Sequence, residues 1–172
     1  MRFTRNIYLI GPMGAGKTTV GRQLARALGM DFHDSDWEIE SRTGVDIPTI
    51  FEYEGEEGFR KRESEVIFEL TKLDNIVLAT GGGAILSVVN RQRLTENGFV
   101  VFLKCSVNRQ MERTTRDNNR PLLNNDNPRE KLELLNQIRD PLYAQCADST
   151  IDTGSTSSKV AVKQILKKFK PN

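Results

Sequence analysis

Cysteine is almost missing from this chain: Cys105 and Cys146 are the only two in 172 residues. They stand far apart and without metal-ligand spacing. That argues against a zinc site or a disulfide framework, and a reducing compartment follows as the expectation. There is one histidine, His33, expected to end a strand as packing rather than to act as a base, and one tryptophan, Trp37, expected to pack a helix. Charge of one sign is also lacking. The formal net charge is only +2, too little to imply a nucleic-acid or membrane partner. No apolar run is long enough to cross a bilayer, and glycines interrupt the first one before it resembles a signal segment, so a cytoplasmic location is expected. Internal repeats and low-complexity linkers are missing too. The length suits one domain, taken as 1–172, with a sizeable core. The basic residues over 163–170 are expected to ease the C-terminal dipole of a last helix.

What is present is alternation. Short apolar runs at 6–10, 30–33, 76–79, 99–103 and 150–152 read as strands. Amphipathic stretches at 18–28, 87–97, 107–115 and 128–147 read as helices between them. Strand and helix in turn predict an α/β domain with a parallel sheet, whose ligands gather beyond the carboxyl ends of the strands. Two regions break the rhythm. A long helical insert spans 46–73, and the polar, Asn-rich stretch 116–127 lacks periodicity and reads as a mobile loop.

The first strand runs into GPMGAGKT, from Gly11 to Thr18, which satisfies G-x-x-x-x-G-K-[ST]. Glycines there let successive N–H groups converge on phosphate oxygens, and the helix that follows adds its positive end. Lys17 can reach the β- and γ-phosphates, and the Thr18 hydroxyl can ligate Mg²⁺. The rival dinucleotide fingerprint fails because its third glycine would fall on Thr19 and leave the Lys-Thr pair without a role. The second strand leads into HDSDWEIE, with Asp34 and Asp36 two residues apart. If strand geometry persists, both carboxylates face one side. One acid near the metal and one accepting a hydroxyl proton is what phosphoryl transfer to a hydroxyl needs. The plainer reading is that Asp34 or Ser35 caps the next helix. The third strand runs into TGGGA, where Gly81, Gly82 and Gly83 suit close backbone approach to a ligand. Arg60 has Glu63 three residues on, and taken alone that pair is an ordinary solvated helix face.

With these motifs in place, the chain resembles the shikimate kinase family over essentially its full length. The resemblance rests on GPMGAGKTT, DSDWEIE, GEEGFRKRE, ATGGGA, the RPLL that begins at Arg120 and the RDPLY that begins at Arg139. It implies a three-layer P-loop kinase fold with a five-stranded parallel sheet in order 2-3-1-4-5. A substrate-binding insert over about 34–62 and a lid over about 113–127 go with that fold. The activity implied is ATP-dependent phosphorylation of the 3-hydroxyl of shikimate, with Mg²⁺ as cofactor, by a cytoplasmic monomer. Residue by residue, Gly14, Ala15, Gly16, Lys17, Thr18 and Thr19 would take the ATP phosphates. Thr18 would hold the metal directly and Asp34 through water. Asp36 would bind shikimate and serve as base, with Lys17 and Arg120 as its catalytic companions. Arg60 and Arg139 would bind the substrate carboxylate, with the Gly81, Gly82 and Gly83 amides lining the same pocket. Arg113, Arg120 and Thr156 would lie on the ATP side, Arg113 and Thr156 against adenine. A small anion with three hydroxyls suits guanidinium forks at one end and a carboxylate at the other. A gluconate-type or nucleoside monophosphate kinase, and a nucleotide-dependent switch protein, remain the alternatives.

Overall fold

In the computed structural model, residues 5–114 and 127–170 are described. Ile7–Ile10 (β1) and Ile76–Ala79 (β3) are buried at every position. Such unbroken apolar runs are expected of central parallel strands covered on both faces. Phe99–Lys104 (β4) lies on the other side of β1, and Asp31–Asp34 (β2) and Ser149–Asp152 (β5) form the edges. The order is β2-β3-β1-β4-β5 with every pairing parallel, as the resemblance implies.

Alternation along the strands makes the two core layers. Tyr8, Ile10, Leu78, Val100 and Phe102 face one way, towards Ile47–Leu70 (α3), Val88–Asn97 (α4) and Pro128–Cys146 (α6). Ile7, Leu9, Val77, Val101 and Leu103 face the other way, towards Lys17–Leu28 (α1) and Ser158–Lys168 (α7). Sheet flanked by helices on both faces gives three layers. Ser35–Thr43 (α2) follows β2 without a break, and Val107–Thr114 (α5) follows β4.

The insert predicted over 46–73 is α3. It starts at an Asp46 cap that accepts from the Thr49 amide and is interrupted once, at Gly55, which has φ 72°. β2 runs one residue further than predicted, to Asp34. Both cysteines are buried and free. Trp37 departs from expectation: it is 45% exposed, under the Arg22 guanidinium and edge-on to Phe32, because α2 turns that face outward. Arg120, and the lid predicted over 113–127 apart from its ends, lie outside the described residues.

Candidate active site

The turn from β1 into α1 is shaped for an anion. Gly16 caps α1 in the left-handed region, at φ 89°, where a side chain would be strained. No side chain caps the helix start, so its first-turn amides keep their donors directed beyond the end of β1. The Lys17 ammonium arches back over the same loop and donates to the carbonyls of Gly11 at 2.7 Å and Pro12 at 2.8 Å.

Asp34 ties this loop to its neighbour. Its Oδ1 accepts from the backbone amides of Asp36 and Trp37, capping α2, while its Oδ2 accepts from the Thr18 hydroxyl at 2.9 Å. Capping and proximity to Thr18 are therefore one arrangement, not alternatives. The reason for the convergence of Asp34 and Asp36 differs from the sequence argument. Strand geometry ends at Asp34, and Asp36 belongs to the first turn of α2. Helix rotation, not strand pleat, brings it round. Lys17, Thr18, Asp34, Asp36, Gly81 and Gly82 line one cleft of about 390 Å³, within the roughly 300–1,000 Å³ of small-molecule sites.

Beyond β3, the glycine turn is packed so that side chains would not fit at Gly81 or Gly83, while Gly82 has room for a methyl group. A Cβ on Gly81 would stand 2.7 Å from Asp36 Oδ1 and 2.9 Å from Glu63 Oε2. One on Gly82 would stand 3.5 Å from Arg139 Nη1, and one on Gly83 would run into the Arg60 guanidinium. The Gly81 amide donates to Ser35 Oγ at 3.0 Å. Arg60 pairs with the buried Glu63 at 2.9 Å and lies over the Phe59 ring, which corrects the reading of a solvated helix face. Arg60 Nε and Glu63 Oε2 are buried without a hydrogen-bond partner among the described residues. Burial pushes the Glu63 carboxyl up to about 7, against the pull of Arg60 and with the help of the Asp36 charge. Arg139 is 4% exposed. Burial, with the like charge of Arg60, lowers its pKa, although charges including Glu56 and Glu63 hold it up. Two guanidiniums crowded beside backbone amides favour an anion with a planar end. Arg60 and Gly83 line a recess of about 290 Å³ with Glu63, next to the main cleft rather than on its wall.

On the other flank of the loop, Arg113 donates to the Gly14 carbonyl at 2.8 Å and the Thr153 carbonyl at 3.0 Å. Arg113, Thr156, Ala15, Gly16 and Thr19 line a second cleft of about 550 Å³, and Gly16, Thr19 and Arg113 border the first cleft as well. The Thr156 hydroxyl donates to the Asp152 carbonyl at 2.9 Å. Arg109 lines this cleft too and was not singled out from the sequence, although its spacing of four from Arg113 on α5 was the available signal. Tyr143, which stands only inside a longer motif, was also missed, and Ser35 was considered only as a helix cap.

The shikimate kinase family model matches residues 13–170. A shikimate kinase of Methylococcus capsulatus is 62% identical over 169 residues, covering 98% of this chain and 94% of its own. That of Thioalkalivibrio sulfidiphilus is 58% identical over 172 residues, covering 100% and 90%. Among solved structures, the Acinetobacter baumannii shikimate kinase in complex with shikimate superposes with a TM-score of 0.93. It is 55% identical and covers 95% of this chain and 92% of its own.

Proposed function

The chain belongs to the shikimate kinase family, and from that premise we propose that it transfers the γ-phosphoryl group of ATP to the 3-hydroxyl of shikimate. The products are shikimate 3-phosphate and ADP. One observation carries the reading at the level of the site: Asp36, Arg139 and Arg60 lie against Gly81, Gly82 and Gly83 in turn, and that glycine turn shares a cleft with the uncapped helix start at Gly16.

In this reading the phosphates lie over the Gly14, Ala15, Gly16, Lys17, Thr18 and Thr19 segment, and Lys17 offsets charge that develops on the transferring group. Asp36 accepts the proton of the attacking hydroxyl as its oxygen bonds to phosphorus and the bond to ADP breaks. Arg60, Arg139 and the amides of Gly82 and Gly83 hold the substrate carboxylate alike before and during transfer, with Gly81 lining the same pocket. Arg113 and Thr156 flank the adenine, and Arg120 reaches ATP from a lid over about 113–127. The insert over about 34–62 carries the acceptor side.

The adjoining Thr18 hydroxyl and Asp34 carboxylate, 2.9 Å apart, are hard oxygen donors of the kind magnesium takes alongside phosphates and water. Thr18 would hold Mg²⁺ directly and Asp34 through water. Bound there, the ion would neutralise charge on the phosphate oxygens. The reading extends to a cytoplasmic monomer without nucleic-acid or membrane partners, in keeping with a net charge of +2.

A coupled assay of ADP release with and without shikimate tests it. The expected result is release that depends on shikimate, one ADP per shikimate 3-phosphate. Slow release indifferent to shikimate, or release driven instead by gluconate or a nucleoside monophosphate, would overturn it.

A further inference from the structure

Tyr143 sits one turn beyond Arg139 on α6, a spacing that places both on one helix face. It is 1% exposed, and its ring packs against Phe102 at 5.1 Å between centroids. A phenylalanine would satisfy that packing. The hydroxyl is what needs explaining. It donates to the carbonyl of Gly82, and a Cβ on that same glycine would stand 3.5 Å from Arg139 Nη1. Burial pushes the ionisation of the Tyr143 hydroxyl far above the ordinary value, so it stays a neutral donor throughout the working range.

The Gly82 carbonyl and the Gly83 N–H belong to one rigid trans peptide plane and point in opposite directions. Anchoring the carbonyl on α6 therefore sets the direction of the amide. The residue before it is anchored as well, through the Gly81 amide on Ser35 Oγ. Backbone bonds from Ala84 and Leu86 hold the carbonyls of Gly81 and Gly83, and the Tyr143 hydroxyl takes the Gly82 carbonyl between them. We propose that Tyr143 is a positioning residue for the carboxylate end of the acceptor: it fixes the Gly82–Gly83 peptide beside the Arg139 guanidinium. The proposal rests on the shikimate kinase reading and adds to it a residue that need not touch the substrate.

Contacts to the carboxylate are equally present before and during phosphoryl transfer, so their loss raises KM and spares kcat. Tyr143→Phe is expected to raise the KM for shikimate roughly 10- to 100-fold. The kcat at saturating shikimate should stay within about threefold and the KM for ATP within about twofold. A purely structural role would lower Tm and change every parameter together, or change none. A second variant, Tyr143→p-aminophenylalanine, keeps the ring and a donor for the Gly82 carbonyl. Its KM for shikimate should fall between those of the wild type and the Phe variant. If Tyr143→Phe does not fold, this second variant decides alone: KM for shikimate must rise while kcat holds. A KM for shikimate within about twofold of wild type in a folded variant would overturn the proposal. Absence of shikimate-dependent turnover in the wild type would instead remove the functional reading, and this proposal with it.

Discussion

If Asp36 is the proposed base, exchanging one of its oxygens for NH₂ should separate phosphoryl transfer from nucleotide binding. Asp36→Asn keeps the shape of the side chain and its place in the first turn of α2, but it puts an NH₂ donor where a carboxylate accepted. Turnover is expected to fall about 10²- to 10⁴-fold, the usual range for general acid–base help. ATP affinity should hold. Single-turnover transfer at saturating shikimate, with ATP affinity measured separately, checks this, and transfer within a few-fold of wild type would remove the base. Glu63 makes a different expectation, about pH. Its carboxyl moves from 4.5 to about 7 in the folded chain, chiefly by burial, with Arg60, Asp36 and Arg139 facing it. The fold therefore binds this proton more tightly than the unfolded chain does. The stabilisation is complete below pH 4.5 and is lost as pH rises through about 7. Its size is on the order of 3 kcal/mol. Glu63→Gln, which mimics the neutral acid, should flatten that part of the pH profile of urea unfolding. Parallel profiles for the two proteins would mean that Glu63 is ionised in both states.

At the scale of elements, the turn after β3 is where neighbouring segments meet. Gly81→Ala would place a Cβ 2.7 Å from Asp36 Oδ1 and 2.9 Å from Glu63 Oε2, closer than atoms pack. Overpacking of this kind costs about 1–3 kcal/mol. The displaced group is the proposed base, so shikimate-dependent turnover should fall far more than ATP affinity. A variant that loses both equally would show that the whole cleft, not the turn, had shifted. Much of this neighbourhood was legible in the sequence. Local period and turn chemistry marked β1, the phosphate loop, α1, β3 and the three glycines to within a residue or so. Asp34 and Asp36 were correctly paired, but through strand alternation that the structure ends at Asp34. The remainder depends on partners distant along the chain. Ser35 meets Gly81 across 46 residues and Tyr143 meets Gly82 across 61, and no local pattern encodes such a contact. Arg60 looked solvated for the same reason: its cover comes from Gly83, on a different segment. Only the family resemblance proposes Arg60 and Arg139 as site residues; periodicity does not.

For the whole molecule, parallel order 2-3-1-4-5 gathers the phosphate loop, the start of α2 and the glycine turn at the carboxyl ends of adjacent strands. In the proposed function, nucleotide and acceptor are thus read by elements that touch each other. Asp34 is the joint, because one of its oxygens holds Thr18 on the phosphate side while the other caps the helix that carries Asp36. A ligand present at 100 times its Kd stabilises the native state by about 2.7 kcal/mol. For a chain of this size that is a rise in Tm of roughly 5–10 °C. A non-hydrolysable ATP analogue with Mg²⁺ should produce such a shift, and so should shikimate alone. If Asp34 couples the two subsites, the shift with both ligands should exceed the sum of the separate shifts. Linkage makes a stricter demand: the factor by which shikimate tightens the nucleotide must equal the factor by which the nucleotide tightens shikimate. Calorimetric titration of each ligand, with and without the other, measures both factors. Factors above one would show coupling, and if Asp34 carries it the coupling should fade in Asp34→Ala, which removes both the Thr18 contact and the cap on α2. Strictly additive shifts and factors of one would mean that the two subsites are neighbours in space but independent in energy.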